Sequence, residues 1–396
     1  RQRQMCIRDR MKAVILAGGY GKRLLPLTYT KPKPMLPIAH KPLLFYIVSS
    51  LAKQGFDEVI VTTSYLTKQI QDHFKDGSEF GTHIIYSHES KALGTAGGVK
   101  NVEKYLDESF AVIQGDNVTD ISFIEEMKHH RRKSGVATIA VKRVEKPWRY
   151  GIVDLDKDDR ILRLVEKPKP EECFTNLIST GLYVIEPEVL DLIPITREYD
   201  FAKDLFPKLL MRGRPMYGYR TSAFWVDAGS LEGYMEATGW ILSNLPRYIS
   251  DTAEVAGAKI KGNVWIDDEA IVKPGATIEG PALIENGAVI GTDTNIGPSS
   301  VVKQDVEVGP KNCLNGSILY EDTSIEVGAR LRNCVVGENC ELGKQVKIDD
   351  LAIVGPNCKV GDKVHICKRS RIWPNINIGH GSIIAGIIRR IKGVRR

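Results

Sequence analysis

The sequence predicts two folds in series: an α/β domain followed by a left-handed parallel β-helix. Three observations carry this expectation. Between residues 12 and 243, short apolar runs bounded by glycine alternate with helix-length segments, the pattern of a largely parallel sheet covered on both faces. From about residue 254 onward, apolar residues recur at every sixth position. A chain of 396 residues also exceeds what one hydrophobic core usually supports.

In the first half, KAVILAGG (12–19), DEVIVTT (57–63), HIIYSHE (83–89) and SFAVIQGD (109–116) read as strands. PLLFYIVSSLAKQG (42–55), the segment near 65–75 and residues 95–106 read as the helices between them. ATIAVKRV, YGIVDLD, RILRLVE and TGLYVIE follow with short connections and are expected to add strands over the carboxyl side of the sheet. Ligands of such sheets bind beyond the carboxyl ends of the strands. The glycines after the first strand and the Gly115-Asp116 pair fall there.

In the second half the beat runs Ile260, Ile266, Val272, Ile278, Ile284, Ile290, Ile296, Val302, Val308, Leu314. After an interruption it resumes at Val336 and continues through Leu342, Ile348, Val354, Val360, Ile366, Ile372, Ile378 and Ile384. Neither a helix nor a flat strand has a six-residue period. Three short strands per triangular coil do, with the sixth-position aliphatics stacked inward. Leu314 and Val336 are out of phase by part of a hexad, so EDTSIEVGARLR (320–331 region) is expected to bulge. The expected domains are therefore 11–243, a linker at 244–253, the β-helix at 254–386 and a basic tail at 387–396.

Residues 1–10, RQRQMCIRDR, precede Met11 and lack both apolar periodicity and the apolar run of a signal peptide. They read as a non-native leader. The formal charge of +6 comes from the two ends, since removing residues 1–10 and 389–396 leaves a body of −2. A near-neutral body argues against a nucleic-acid-binding face, and no stretch is long and apolar enough to span a membrane. Seven cysteines form no CxxC pair. Cys334, Cys340 and Cys358 are separated by multiples of six and read as small buried residues of the solenoid. Free thiols without an export signal point to the cytoplasm.

LAGGYGKRLLPLTYTKPKPML (16–36) places bare backbone beside positive charge. It is either a turn or a phosphate cradle; it matches neither GxxxxGK[ST] nor GxGxxG. Arg23 and Lys33 lie within reach of the loop, where glycines let N–H groups approach phosphate oxygens. Asp116 follows a buried strand and Asp227 ends the apolar run AFWVDAG. The two aspartates read either as independent turn caps or as a Mg2+-holding pair, since that ion prefers oxygen ligands and keeps waters.

Residues 11–243 resemble the sugar-1-phosphate nucleotidylyltransferases, and the hexad domain resembles the left-handed β-helix that many members carry. LAGGYGKRLLPLT…PKPM, LGTAGG (93–98), GDN (115–117), RYGIV (149–153), VEKP (165–168), STGLYV (179–184) and FWVDAGS (224–230) occur in the family's order. The resemblance implies a Rossmann-like mixed-sheet nucleotidyltransferase domain. It implies a nucleotide site at Leu16, Ala17, Gly18, Gly19, Gly21, Arg23, Gly94 and Thr95. Arg23 would bind the β- and γ-phosphates, and Lys33 would stabilise charge near the α-phosphate. Lys167 would hold the sugar phosphate, with Gly151, Glu166, Asn176 and Gly181 around the sugar, and Asp116 and Asp227 would coordinate Mg2+. Lys22 departs from the Ser or Thr more usual there, which removes one expected hydroxyl contact.

The implied reaction joins an NTP and a hexose 1-phosphate into an NDP-sugar and diphosphate. LGTAGG, the KPWRYGIV context, FWVDAGS and the linked β-helix look most like mannose-1-phosphate guanylyltransferases, with GTP as substrate. GDN and TGLYV look more like glucose-1-phosphate thymidylyltransferases using dTTP, and LGTA also occurs in uridylyltransferases for N-acetylglucosamine 1-phosphate using UTP. The β-helix reads as a homo-oligomerising or regulatory solenoid. An acetyltransferase would need a catalytic histidine, for which His365 and His380 are the candidates. A non-catalytic regulatory subunit would lack the phosphate-binding or metal-binding residues, and this chain keeps Arg23, Lys33, Asp116, Lys167 and Asp227.

Overall fold

A computed structural model describes residues 11–195 and 197–389. The leader and the basic tail beyond residue 389 lie outside the described residues. The chain divides into two compact units. The first contains residues up to Tyr20, Pro32–Met35 and Leu43–Asp227; the second contains Gly21–Lys31, Leu36–Pro42 and everything from Ala228.

The first unit is built on a mixed sheet. Strand Met11–Leu16 lies centrally, parallel to Phe56–Thr63 on one side and to Phe110–Gln114 on the other, and His83–His88 extends the parallel part. Ala13, Val14 and Ile15 are all fully buried, as expected of a strand covered on both faces. Helix Leu43–Lys53 buries Leu43, Leu44, Ile47, Val48 and Leu51, a stripe at helical spacing. The later strands do not form a layer over the carboxyl side of the sheet. Leu177–Ile185 pairs antiparallel with Phe110–Gln114, and Gly151–Leu155, Ile161–Glu166 and Ala137–Arg143 continue from it in the same sheet. The extension mixes directions: Gly151–Leu155 and Ile161–Glu166 form an antiparallel pair after a short connection, whereas Ala137–Arg143 follows the helix Phe123–Lys133 and pairs parallel with Met216–Arg220.

The second unit contains three parallel sheets whose strands stack coil upon coil, which fits the expected β-helix. Ile260 pairs with Ile278 and Ile278 with Ile296, each eighteen residues on. The inward aliphatics form one continuous buried column from Val264 to Ile378, with Cys334, Cys340 and Cys358 completely buried among them. Helix Leu231–Asn244 precedes the solenoid. Within the stretch read as a linker, Tyr248–Ile249 already forms a rung, pairing with Trp265–Ile266.

The bulge expected at 320–331 is absent. Val302 faces Leu319, Val308 faces Ile325 and Leu314 faces Leu331, so each coil closes in seventeen residues there. Two corners are one residue shorter, between Leu314 and Leu319 and between Leu331 and Val336. Both turn through left-handed backbone, at Gly316 (φ 56°) and Asn333 (φ 43°), residue types that tolerate it. A β-carbon on Gly316 would lie 2.2 Å from Asn333 Oδ1, so the shortened corners stack directly.

Candidate active site

In the first unit, strand Met11–Leu16 ends in the glycine loop. Ala17 N–H is held by Thr62 O at 3.0 Å and Gly115 N–H by Leu16 O at 2.9 Å. The Ser64 hydroxyl donates to Gly18 O. A β-carbon at Gly19 would meet nothing within 4 Å, so the backbone there is open to a ligand. Gly21 and Arg23 belong to the second unit.

The two aspartates are brought together by a two-stranded ribbon. Asn117–Thr119 runs antiparallel to Trp225–Asp227, and Asp227 lies directly opposite Asn117, the residue after Asp116. Buried Lys33 makes an ion pair with Asp116. Among the described residues no cluster of three or more His, Cys, Asp or Glu forms a metal cage. Two carboxylates carrying neither imidazole nor thiolate fit a hard cation that takes its other ligands from water and phosphate. The lysine on Asp116 shows that the carboxylate already sits against positive charge.

Gly94 begins helix Gly94–Lys100 with φ +73°, and a β-carbon there would lie 2.6 Å from Tyr199 O. That carbonyl accepts from both Ala96 N and Gly97 N at 3.0 Å, and Thr95 Oγ1 donates to Asp200 Oδ2 at 2.9 Å. The helix start is thereby pinned to a distant loop. Sequence reasoning missed Glu89. It is buried beside this segment, and burial raises its pKa while the Leu93 N–H and Thr62 hydroxyl hold the carboxylate. Its Oε1 would crowd a β-carbon on Gly98 at 2.6 Å, and its Oε2 would make ordinary contact with one on Gly18 at 3.6 Å. An acid closing the strand run HIIYSHE just ahead of LGTAGG is the signal that could have found it.

On the sugar side, Gly151 pairs directly with Glu166, and a β-carbon on Gly151 would lie 2.7 Å from Glu166 Oε2. Lys167 has φ +46°, strained for a non-glycine residue. Its N–H bonds Tyr150 O at 3.1 Å and its ammonium lies 3.2 Å from Glu166 Oε1. Gly181, at φ +81°, would place a β-carbon 3.2 Å from Asn117 Nδ2, and that amide donates to Thr180 O at 2.8 Å. The Tyr150 ring packs edge-on against Trp225 at 5.3 Å. Gly151, Glu166, Lys167 and Gly181 are thus tied to the aspartate ribbon. Asn176 is not: its side chain accepts from Arg143 at 2.6 Å.

Comparison with known proteins finds relatives for both parts of the chain. The nucleotidyl transferase family model matches residues 12–244 and the GMPPB C-terminal domain model matches residues 278–388. The chain is 40% identical over 269 residues to a UTP–glucose-1-phosphate uridylyltransferase of Synechocystis, covering 64% of this chain and 68% of the relative. It is 36% identical over 266 residues to a mannose-1-phosphate guanylyltransferase of Mycobacterium tuberculosis, covering 67% and 72%. A crystal structure titled as a putative glucose-1-phosphate thymidylyltransferase of Bacillus anthracis superposes with a TM-score of 0.54 at 25% identity, over 58% of this chain and 94% of that one. The chain belongs to the nucleotidyl transferase family, and is a sugar-1-phosphate nucleotidylyltransferase.

Proposed function

We propose that the chain transfers a guanylyl group from GTP to mannose 1-phosphate, releasing diphosphate. The observation that carries the choice of base is Glu89, a buried carboxylate next to the Gly94 segment. An ionised carboxylate only accepts hydrogen bonds. Guanine presents two adjacent donors, N1–H and N2–H, that match its two oxygens. Uracil and thymine present one N–H flanked by carbonyls, which a carboxylate repels. The match to the GMPPB C-terminal domain model supports the same reading.

In this reading the backbone around Leu16, Ala17, Gly18, Gly19 and Gly21 cradles the triphosphate, Arg23 binds its β- and γ-phosphates, and Gly94 and Thr95 flank the base. Lys167 holds the phosphate of mannose 1-phosphate, and Gly151, Glu166, Asn176 and Gly181 surround the sugar. A phosphate oxygen of the sugar phosphate attacks the α-phosphorus in line as diphosphate leaves. The attacking oxygen is already anionic, so no general base is needed. The barrier lies in bringing anions together and stabilising spreading charge. Lys33 serves that purpose near the α-phosphate. Asp116 and Asp227 would hold Mg2+, which neutralises phosphate charge when bound.

The described cysteines are all free, which supports a reducing, cytoplasmic setting, and no described helix is long and apolar enough to cross a membrane. Homo-oligomer formation through the solenoid belongs to the same proposal, because among the described residues each of its three sheets ends in an edge strand that a second copy would cover. A second reading, uridylyl transfer to glucose 1-phosphate, is favoured by the 40% identity to the Synechocystis relative. Diphosphate release measured for five NTPs against mannose, glucose, galactose and N-acetylglucosamine 1-phosphates decides between them. The proposal expects the highest kcat/KM for GTP with mannose 1-phosphate. Dominance of UTP with glucose 1-phosphate replaces it with the second reading.

A further inference from the structure

The second unit does not consist of solenoid alone. It includes Gly21–Lys31 and Leu36–Pro42, a strap that carries Arg23, and within this unit the strap is fastened to the solenoid at two polar points. The Lys31 ammonium makes an ion pair with Glu338 and lies 5.4 Å from the centre of the Tyr320 ring. The Tyr234 hydroxyl, from the helix that precedes the solenoid, donates to Pro37 O. That hydroxyl also lies 3.0 Å from the hydroxyl of Tyr320. Each tyrosine has one proton to give. With Tyr234 donating to Pro37, Tyr320 must donate to Tyr234. The result is a directed relay from solenoid to helix to strap backbone, and both rings are essentially inaccessible to water. The strap is braced internally as well, by Thr28 Oγ1 donating to Gly21 O at 2.9 Å.

Polar fastening of this kind adds little net stability, because burying hydroxyls and charges costs nearly what their pairing returns. It does select one geometry, since a shifted strap would leave the buried Tyr234 hydroxyl without its acceptor and the half-buried Glu338 without its cation. A phosphate-binding arginine needs such selection, because a loop disordered in the free enzyme must be ordered at the expense of binding.

We propose that Lys31, Glu338, Tyr234 and Tyr320 are positioning residues: the solenoid holds the strap in the conformation that binds the triphosphate, and so sets the affinity for NTP. The proposal rests on the assignment of Arg23 to the triphosphate.

The test compares the full-length protein with Glu338→Gln, Tyr320→Phe and the charge reversal Lys31→Glu with Glu338→Lys. Two readouts are used: steady-state diphosphate release with Mg2+, and hydrogen–deuterium exchange of the peptide spanning residues 21–42. The single variants are expected to raise KM for the NTP by about fivefold or more, as a smaller competent fraction requires, and to leave KM for the sugar 1-phosphate within about twofold. They are also expected to speed exchange in 21–42, with saturating NTP restoring the parent's protection. The charge reversal recovers most of both effects. Unchanged NTP affinity and unchanged exchange in both single variants would overturn the proposal. So would an equal rise of both KM values together with faster exchange throughout the chain, which marks general loosening. Should Tyr320→Phe not fold, Glu338→Gln alone decides. If the parent releases no diphosphate with any NTP, the functional reading fails, and the exchange experiment still reports separately on the fastening.

Discussion

Asp227 lies directly across an antiparallel ribbon from Asn117, so residues 116 and 227, more than a hundred residues apart in the chain, come to one end of the same two-stranded element. Neither strand belongs to the main sheet; the ribbon stands beyond the carboxyl end of the strand Phe110–Gln114. That is where ligands of open α/β sheets bind.

Removing either charge should disable transfer while preserving the fold. Asp116→Asn and Asp227→Asn are each expected to lower kcat by about 10²-fold or more, the loss typical of removing one group that stabilises developing charge. Diphosphate release at saturating Mg2+ and substrates measures it. Near-parental turnover in either variant would show that the pair does not hold the metal.

Glu89→Gln should change which base is accepted. Loss of a two-donor match is expected to lower kcat/KM for GTP by about 10- to 100-fold, the range for one good bidentate pair, while activity with UTP or dTTP holds or rises. Burial raises the Glu89 pKa above its ordinary 4.5, and the ionised form is the one that accepts guanine's protons. KM for GTP should therefore climb on acidification before pH falls as low as 4.5, and the Gln variant should lack that rise. A parental GTP preference in Glu89→Gln removes this residue from base selection.

Gly94 tests the pinned helix start. Alanine there must adopt φ +73° with its β-carbon 2.6 Å from Tyr199 O, a backbone atom that cannot swing aside. Gly94→Ala is expected to cost about 1–2 kcal/mol from the left-handed backbone, read by denaturant unfolding. It should also raise KM for the NTP more than KM for the sugar 1-phosphate. A variant as stable and active as the parent would mean that the loop carrying Tyr199 yields easily.

Glu126 governs how stability varies with pH. It is wholly buried on the helix Phe123–Lys133, and burial pushes its pKa up to about 8, only partly offset by the Ala140 N–H; one oxygen has no hydrogen-bond partner. Its folded-state pKa lies above the unfolded value of 4.5. The contribution is thus fully present below 4.5 and is lost as pH rises toward 8, at about 1.4 kcal/mol per pH unit. Glu126→Gln is expected to flatten that fall and to raise the Tm of the α/β unit at pH 8. A parent whose Tm does not drop across this window contradicts the assignment.

Much of this protein is written in local pattern. The apolar runs around Val14, Ile60 and Val112 and the six-residue beat from Ile260 onward specify strands and coils directly, because burial follows the period of the backbone that carries it. The glycines at 94 and 181 mark places where backbone turns left-handed against close neighbours, and glycine in the sequence is the sign of such turns. Even so, the beat misled at one point. Two missing residues read as a bulge when only spacing is seen, whereas the coils absorb one at each of the shortened corners at Gly316 and Asn333.

What tertiary structure alone decided is pairing across distance. That Asp227 faces Asn117, that Lys33 meets Asp116, that Glu89 is buried beside Gly94, and that Lys31 finds Glu338 all depend on which elements the closed fold sets side by side. Backbone preference acts over a few residues, whereas these charges and hydroxyls interact only after the chain has folded them into contact and excluded water. For that reason the sequence by itself determined the sheet, the coils and the candidate chemistry, and the folded structure decided which of those groups work together.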